Sequence, residues 1–138
     1  MSDESPKTRV LVVDDDQTLL DMYKERLVAS GYDVITASDG RQALAKAIDY
    51  LPHCILLDVL MPQVNGFDVL ENIRSTEETK NIPVIMLTAL VQDSNRQKGL
   101  AEGADDYIIK SETMPGEVIA KIENVIKKRK ESLQQNAG

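Results

Sequence analysis

Four consecutive apolar residues, Val10-Leu11-Val12-Val13, run straight into Asp14-Asp15-Asp16, and no other feature constrains the chain as much. A strand with one face in water alternates apolar and polar residues, whereas an unbroken β-branched run belongs to a strand covered on both faces. Similar runs recur at 34–37, 54–57, 84–87 and 107–109, so five strands are expected. Between them the apolar period becomes helical. Leu20, Tyr23 and Leu27 mark a helix over 17–30, with Gly31 placed to take the positive φ that follows a helix. Leu44, Ala47, Ile48 and Leu51 mark a second, capped from the Ser38-Asp39-Gly40 turn, and a third begins near Phe67. A weaker fourth covers about 92–102, and the last carries Val118, Ile122, Val125 and Ile126 after Pro115. The pattern predicts an α/β fold of (βα)5 type, a doubly wound five-stranded parallel sheet with right-handed crossovers.

With 138 residues, one domain over 9–130 is expected, between polar segments 1–8 and 131–138 that read as flexible tails. One cysteine, Cys54, leaves no internal disulfide and fits a reducing, cytoplasmic setting; it reads as small core filling. No apolar run approaches the length of a membrane span, and the first residues lack the pattern of a secretory signal. A net charge of -7 with no Trp and one Phe disfavours direct contact with a nucleic-acid backbone or its bases.

In such a sheet ligands bind beyond the carboxyl ends of the strands. Asp14 and Asp15 close the first strand, Asp58 the third, Thr88 the fourth and Lys110 the fifth. Three carboxylates converging in a partly desolvated cleft repel, so the site must raise a pKa or bind a cation. An oxygen-only set suits Mg2+, and a Lys and a Thr facing the same point suit a phosphoryl group attacked by a carboxylate. Asp58 is the most informative member, because it ends the apolar run Cys54-Ile55-Leu56-Leu57, where an unpaired charge would be costly. Asp16 reads as a helix cap, His53 as a polar turn residue, and Lys127-Lys128-Arg129-Lys130 as cations complementing the last helical turn.

Taken in order, Val-Leu-Val-Val-Asp-Asp-Asp (10–16), Leu-Leu-Asp-Val-Leu-Met-Pro-Gln-Val-Asn-Gly (56–66), Val-Ile-Met-Leu-Thr-Ala (84–89) and Gly-Ala-Asp-Asp-Tyr-Ile-Ile-Lys (103–110) resemble the receiver domain of two-component response regulators, the CheY-like proteins. The resemblance covers about residues 8–130 and implies a flavodoxin-like sheet in strand order 2-1-3-4-5. It implies that Asp58 accepts a phosphoryl group from a sensor histidine kinase or phosphotransfer protein. Asp15 and Asp58 would ligate Mg2+ directly, Asp14 through water, and the Leu60 carbonyl would complete the protein's share. Lys110 would pair with the phosphoryl group, Thr88 would move toward it, and Tyr107 would turn inward, switching the surface of the fourth helix, fifth strand and fifth helix. Such a domain is a phosphoacceptor switch and not a turnover enzyme.

The chain departs from the family in lacking Pro after Lys110, where Ser111 stands; a trans bond is expected there, which leaves the aim of Lys110 to its loop. Leu60 and Leu90, flanking the acceptor and the Thr, cannot orient a water, so a long-lived phosphorylated form is expected, while small Ala89 leaves the phosphoryl group room. About eight residues follow the last helix, so output through a separate protein, or a phosphorylation-dependent homodimer, is expected rather than an attached effector. Two other readings are a non-phosphorylated interaction module and a Mg2+-dependent aspartyl-phosphate phosphatase. The second needs an acid at the position held by Leu60.

Overall fold

Alternation within each apolar run decides which helices a residue meets. The computed structural model describes residues 7–59, 61, 65–88, 103–110 and 115–136. Five strands, β1 (Arg9–Val13), β2 (Asp33–Ala37), β3 (Cys54–Asp58), β4 (Val84–Thr88) and β5 (Asp106–Ile109), form one parallel sheet in the order β2-β1-β3-β4-β5. Helices α1 (Gln17–Ala29), α2 (Gly40–Tyr50), α3 (Gly66–Ser75) and α4 (Pro115–Asn136) cover it. Leu11, Val13, Ile55, Leu57 and Met86 face α2 and α3, while Val10, Val12, Leu56, Ile85 and Ile108 face α1 and α4. Every residue of β3 and β4 is buried, which is why both read as unbroken apolar runs. Cys54 lies wholly in this core, where burial pushes its thiol pKa well up and keeps it protonated. The fourth predicted helix, about 92–102, falls outside the described residues. Among those described, no helix is long and apolar enough to cross a membrane.

Short polar residues set the helix starts. The Asp16 carboxylate accepts from the Thr18 and Leu19 N–H groups, as its capping role requires, and Asp39 does the same for Gln42 at 2.8 Å. Asn65, which the sequence reading passed over, caps α3 by accepting from the Phe67 N–H at 2.8 Å. Gly31 has φ +94°, the conformation expected of it. His53 is the exposed turn residue foreseen, its Nδ1 accepting from the Arg9 N–H at 2.9 Å.

Three expectations need correction. In α2 the buried face is Gly40, Ala43 and Ala47, while Ile48 and Leu51 are 37% and 54% exposed. Leu44 and Ala47 of the expected stripe do meet the core, whereas Gly40 and Ala43, whose small size lets the helix sit close on the sheet, escape a periodicity weighted toward large apolar residues. The last helix does not stop at 130. Glu131 through Gln135 favour helix and no Gly or Pro intervenes before Asn136, so residues 131–136 continue α4 instead of beginning an irregular tail. It follows that Lys127-Lys128-Arg129-Lys130 do not occupy the final turn, which holds no basic residue. Arg129 has a different task, pairing with Asp105 at 2.6 Å.

Candidate functional site

Parallel register carries the acidic residues to one place. Val13 pairs with Leu57 and Asp58 with Leu87, so Asp14 and Asp58 stand side by side at the carboxyl edge, and Thr88 pairs with Ile109 one residue further along. Asp14 extends the sheet by donating its N–H to the Ala37 carbonyl at 3.1 Å. Its carboxylate is 1% exposed; Oδ1 accepts from the Asp16 N–H at 3.0 Å and Oδ2 accepts from Lys110 Nζ at 2.8 Å. Asp58 is 4% exposed, with its Oδ1 3.4 Å from the same ammonium. Asp15 points to solvent, yet a carboxylate oxygen from each of Asp14, Asp15 and Asp58 lies within 4.8 Å of the others.

Lys110 thus bridges two buried carboxylates from an end of β5 held by its own backbone, whose N–H donates to the Thr88 carbonyl at 2.7 Å. Burial alone would lower the ammonium's pKa. The hydrogen bond it donates to Asp14 and the charge of Asp58 outweigh it, so the net shift is upward and the lysine stays charged. The reach of Lys110 to the acidic cluster therefore does not depend on a following proline. The Lys110–Ser111 bond itself lies outside the described residues, as do Leu60 with its carbonyl, Ala89 and Leu90. Thr88 is wholly buried at the end of β4. Tyr107 lies inward, 7% exposed, and its hydroxyl has no hydrogen-bond partner among the described residues.

The donor set fits Mg2+. It is made of carboxylate oxygens only, and three negative charges against one lysine leave an excess of two, which a single divalent cation would balance.

The sequence reading missed the structural roles of Gly66 and of a second group. Gly66 donates its N–H to the Val59 carbonyl at 2.8 Å, and a Cβ there would lie 2.2 Å from the Asp58 carbonyl oxygen and 2.8 Å from Val59 Cα. Both neighbours are backbone and cannot swing aside. Gly66→Ala is expected to lower stability by about 1–3 kcal/mol and to displace Asp58, as chemical denaturation and amide shifts at Asp58 would report. The Asn-Gly pair at 65–66 was the available signal. The second group is Arg74, Asp105 and Arg129, described below, which no spacing rule joins.

Comparison with known proteins agrees with this geometry. A family model described as the response regulator receiver domain matches residues 10–123. The chain is 43% identical over 102 residues to the DNA-binding dual master transcriptional regulator RpaA of Synechocystis sp., covering 74% of this chain and 42% of that protein. It is 38% identical over 135 residues to the probable transcriptional regulator ycf27 of Porphyra purpurea, covering 98% and 54%. It thus spans about half the length of these curated relatives. Among solved structures, a CheY-like receiver domain protein from Methanospirillum hungatei JF-1 superposes with a TM-score of 0.83 at 29% identity, covering 92% of this chain and 99% of that one. Chemotaxis protein CheY4 of Vibrio cholerae gives 0.82 at 34% identity, covering 87% and 99%. With its strand order, its acidic edge and a matching family model over most of its length, this chain belongs to the response regulator receiver domain family.

Proposed function

We propose that the chain is a phosphorylation-driven switch in which Asp58 is the acceptor. The observation that carries this is the placement of Asp58 at the end of a wholly buried strand, beside Asp14 and within 3.4 Å of the Lys110 ammonium. A carboxylate oxygen of Asp58 would attack the phosphorus of a phosphohistidine on a kinase or phosphotransfer protein. The P–N bond breaks, the imidazole leaves with a proton, and an acyl phosphate forms on Asp58. Bound Mg2+, held by Asp14, Asp15, Asp58 and the Leu60 carbonyl, would supply charge neutralisation at the phosphoryl oxygens. Lys110, 2.8 Å from Asp14 and 3.4 Å from Asp58, would pair with one of those oxygens. Thr88 would donate its hydroxyl to another, and the inward Tyr107 would register the change on the surface of β5 and α4. Output would pass by protein contact, since the net charge of -7 opposes direct contact with a nucleic-acid backbone.

Incubation with acetyl phosphate and Mg2+ is expected to add one phosphoryl group to the wild type by intact mass, none to Asp58→Asn, with the adduct mapping to the β3 peptide. No adduct and no binding of a beryllofluoride mimic would mean that the chain is a non-phosphorylated interaction module. Since neither Leu60 nor Leu90 can hydrogen-bond a water, the acyl phosphate should be long-lived. Leu60→Asn combined with Leu90→Gln is expected to speed its loss about tenfold or more, read as decay of the adduct after donor removal. An unchanged decay would show that water access is controlled elsewhere.

A further inference from the structure

Tyr23 belongs to the inward stripe of α1 with Leu20 and Leu27, and periodicity explains no more than that. Its surroundings say more. Tyr23 shares the walls of a small cleft between α1 and α4 with Lys110, Met22, Arg26, Val118 and Ile119. It is 9% exposed, and the Lys110 side chain beside it 17%. Side chains on a helix lean toward its N-terminus, which for α1 is the end adjoining Asp14 and Asp15. Burial pushes the phenol's pKa up, the Lys110 charge opposes this, and Asp14 and Asp58 add to the rise, so the phenol is neutral and within electrostatic reach of all three.

A lysine carries four flexible methylenes, and the cleft that Lys110 lines gives its stem room to move unless a neighbour confines it. We propose that Tyr23 is a positioning residue for Lys110: its ring walls the lysine stem on the α1 side and keeps the ammonium on the Asp14–Asp58 pair. The same confinement makes Lys110 a stronger competitor against a cation for those carboxylates. The kinetic consequence rests on the function proposed above; the binding consequence does not.

Opposed effects on two readouts separate this role from a structural one. Mg2+ is titrated into wild type, Tyr23→Phe, Tyr23→Leu and Tyr23→Ala, followed by amide shifts of Asp14 to Asp16, with denaturation curves identifying the folded variants. Tyr23→Ala is expected to bind Mg2+ about fivefold more tightly, because the lysine no longer holds the carboxylates. Its uptake of phosphoryl from acetyl phosphate at saturating Mg2+ should fall about tenfold. Tyr23→Phe keeps the ring and restores both, and Tyr23→Leu, which retains apolar burial, stands in should the Ala variant not fold. Mg2+ binding that is unchanged or weaker in a folded Ala or Leu variant overturns the proposal, since general loosening would weaken the metal site. Tighter Mg2+ binding with unchanged uptake would uphold the positioning of Lys110 and remove that lysine from phosphoryl transfer. If wild type takes up no phosphoryl group, the proposed function fails while the Mg2+ comparison still decides this inference.

Discussion

Asp105→Ala is expected to lower stability by about 3–5 kcal/mol, a large part of a domain total of about 5–15. Asp105 stands just before β5 with its side chain 11% exposed, and one carboxylate serves two guanidinium groups. Oδ1 accepts from Arg74 Nη2 at 2.8 Å, from Arg129 Nη2 at 3.1 Å and from the Val84 N–H at 3.1 Å, while Oδ2 accepts from Arg129 Nε at 2.6 Å. Arg74 also donates to the carbonyls of Gly103, Lys80 and Ile82, so it cannot leave for solvent without breaking three further bonds. Burial and the neighbouring Arg129 push the Arg74 pKa down to about 10, against the pull of Asp105. At neutral pH it is still a cation, and without Asp105 it would be a poorly compensated one. Arg129 is 27% exposed and can turn outward, so Arg129→Met should cost only about 1 kcal/mol. Urea denaturation of these variants, and of Asp105→Ala with Arg129→Met, would measure the coupling. A loss below about 1 kcal/mol for Asp105→Ala would mean that water replaces the carboxylate with little penalty.

The same cluster marks where sequence reading stops. Asp14, Asp58, Thr88 and Lys110 could be placed together from sequence because each ends a parallel strand, and register fixes neighbours to within a residue. Arg74, Asp105 and Arg129 come from a helix, a turn and a second helix, and their meeting depends on how α3 and α4 pack. Local periodicity does not encode that. Arg129 was misread for a related reason: its run of cations looks like a helix end, and only the continuation of α4 to Asn136 shows that it is mid-helix. Ala43 failed as a core signal because a methyl group contributes little to an apolar pattern, although with Ala47 it decides how closely α2 approaches. Tyr23 was legible as a buried position and not as a neighbour of Lys110, since the cleft they share lies between α1, α4 and the end of β5.

Lys110→Met should separate what the lysine does for the fold from what it does for chemistry. Phosphoryl uptake by Asp58 is expected to fall about 10²- to 10³-fold, the usual loss when a preorganised charge at a developing anion is removed. Mg2+ should bind more tightly, because Asp14 and Asp58 are then free of the ammonium that lies 2.8 and 3.4 Å away. Without Mg2+ the variant leaves Asp14, 1% exposed, with no cation beside it, and should be less stable at neutral pH by about 1–3 kcal/mol. Saturating Mg2+ should return much of that loss, since a ligand at a hundred times its Kd contributes about 2.7 kcal/mol. The alkaline limb adds an independent check. The folded pKa of Lys110 lies above its ordinary value of 10.5, so its stabilisation is complete below that value and disappears as pH rises through the raised one. Metal-free wild type should therefore lose its advantage over Lys110→Met above about pH 10.5 and keep it whole at pH 7 to 9. A constant difference between the two across that range would show that the ion pairs add no stability. The loss seen in the variant would then come from packing of the lysine's methylenes against the α1–α4 cleft.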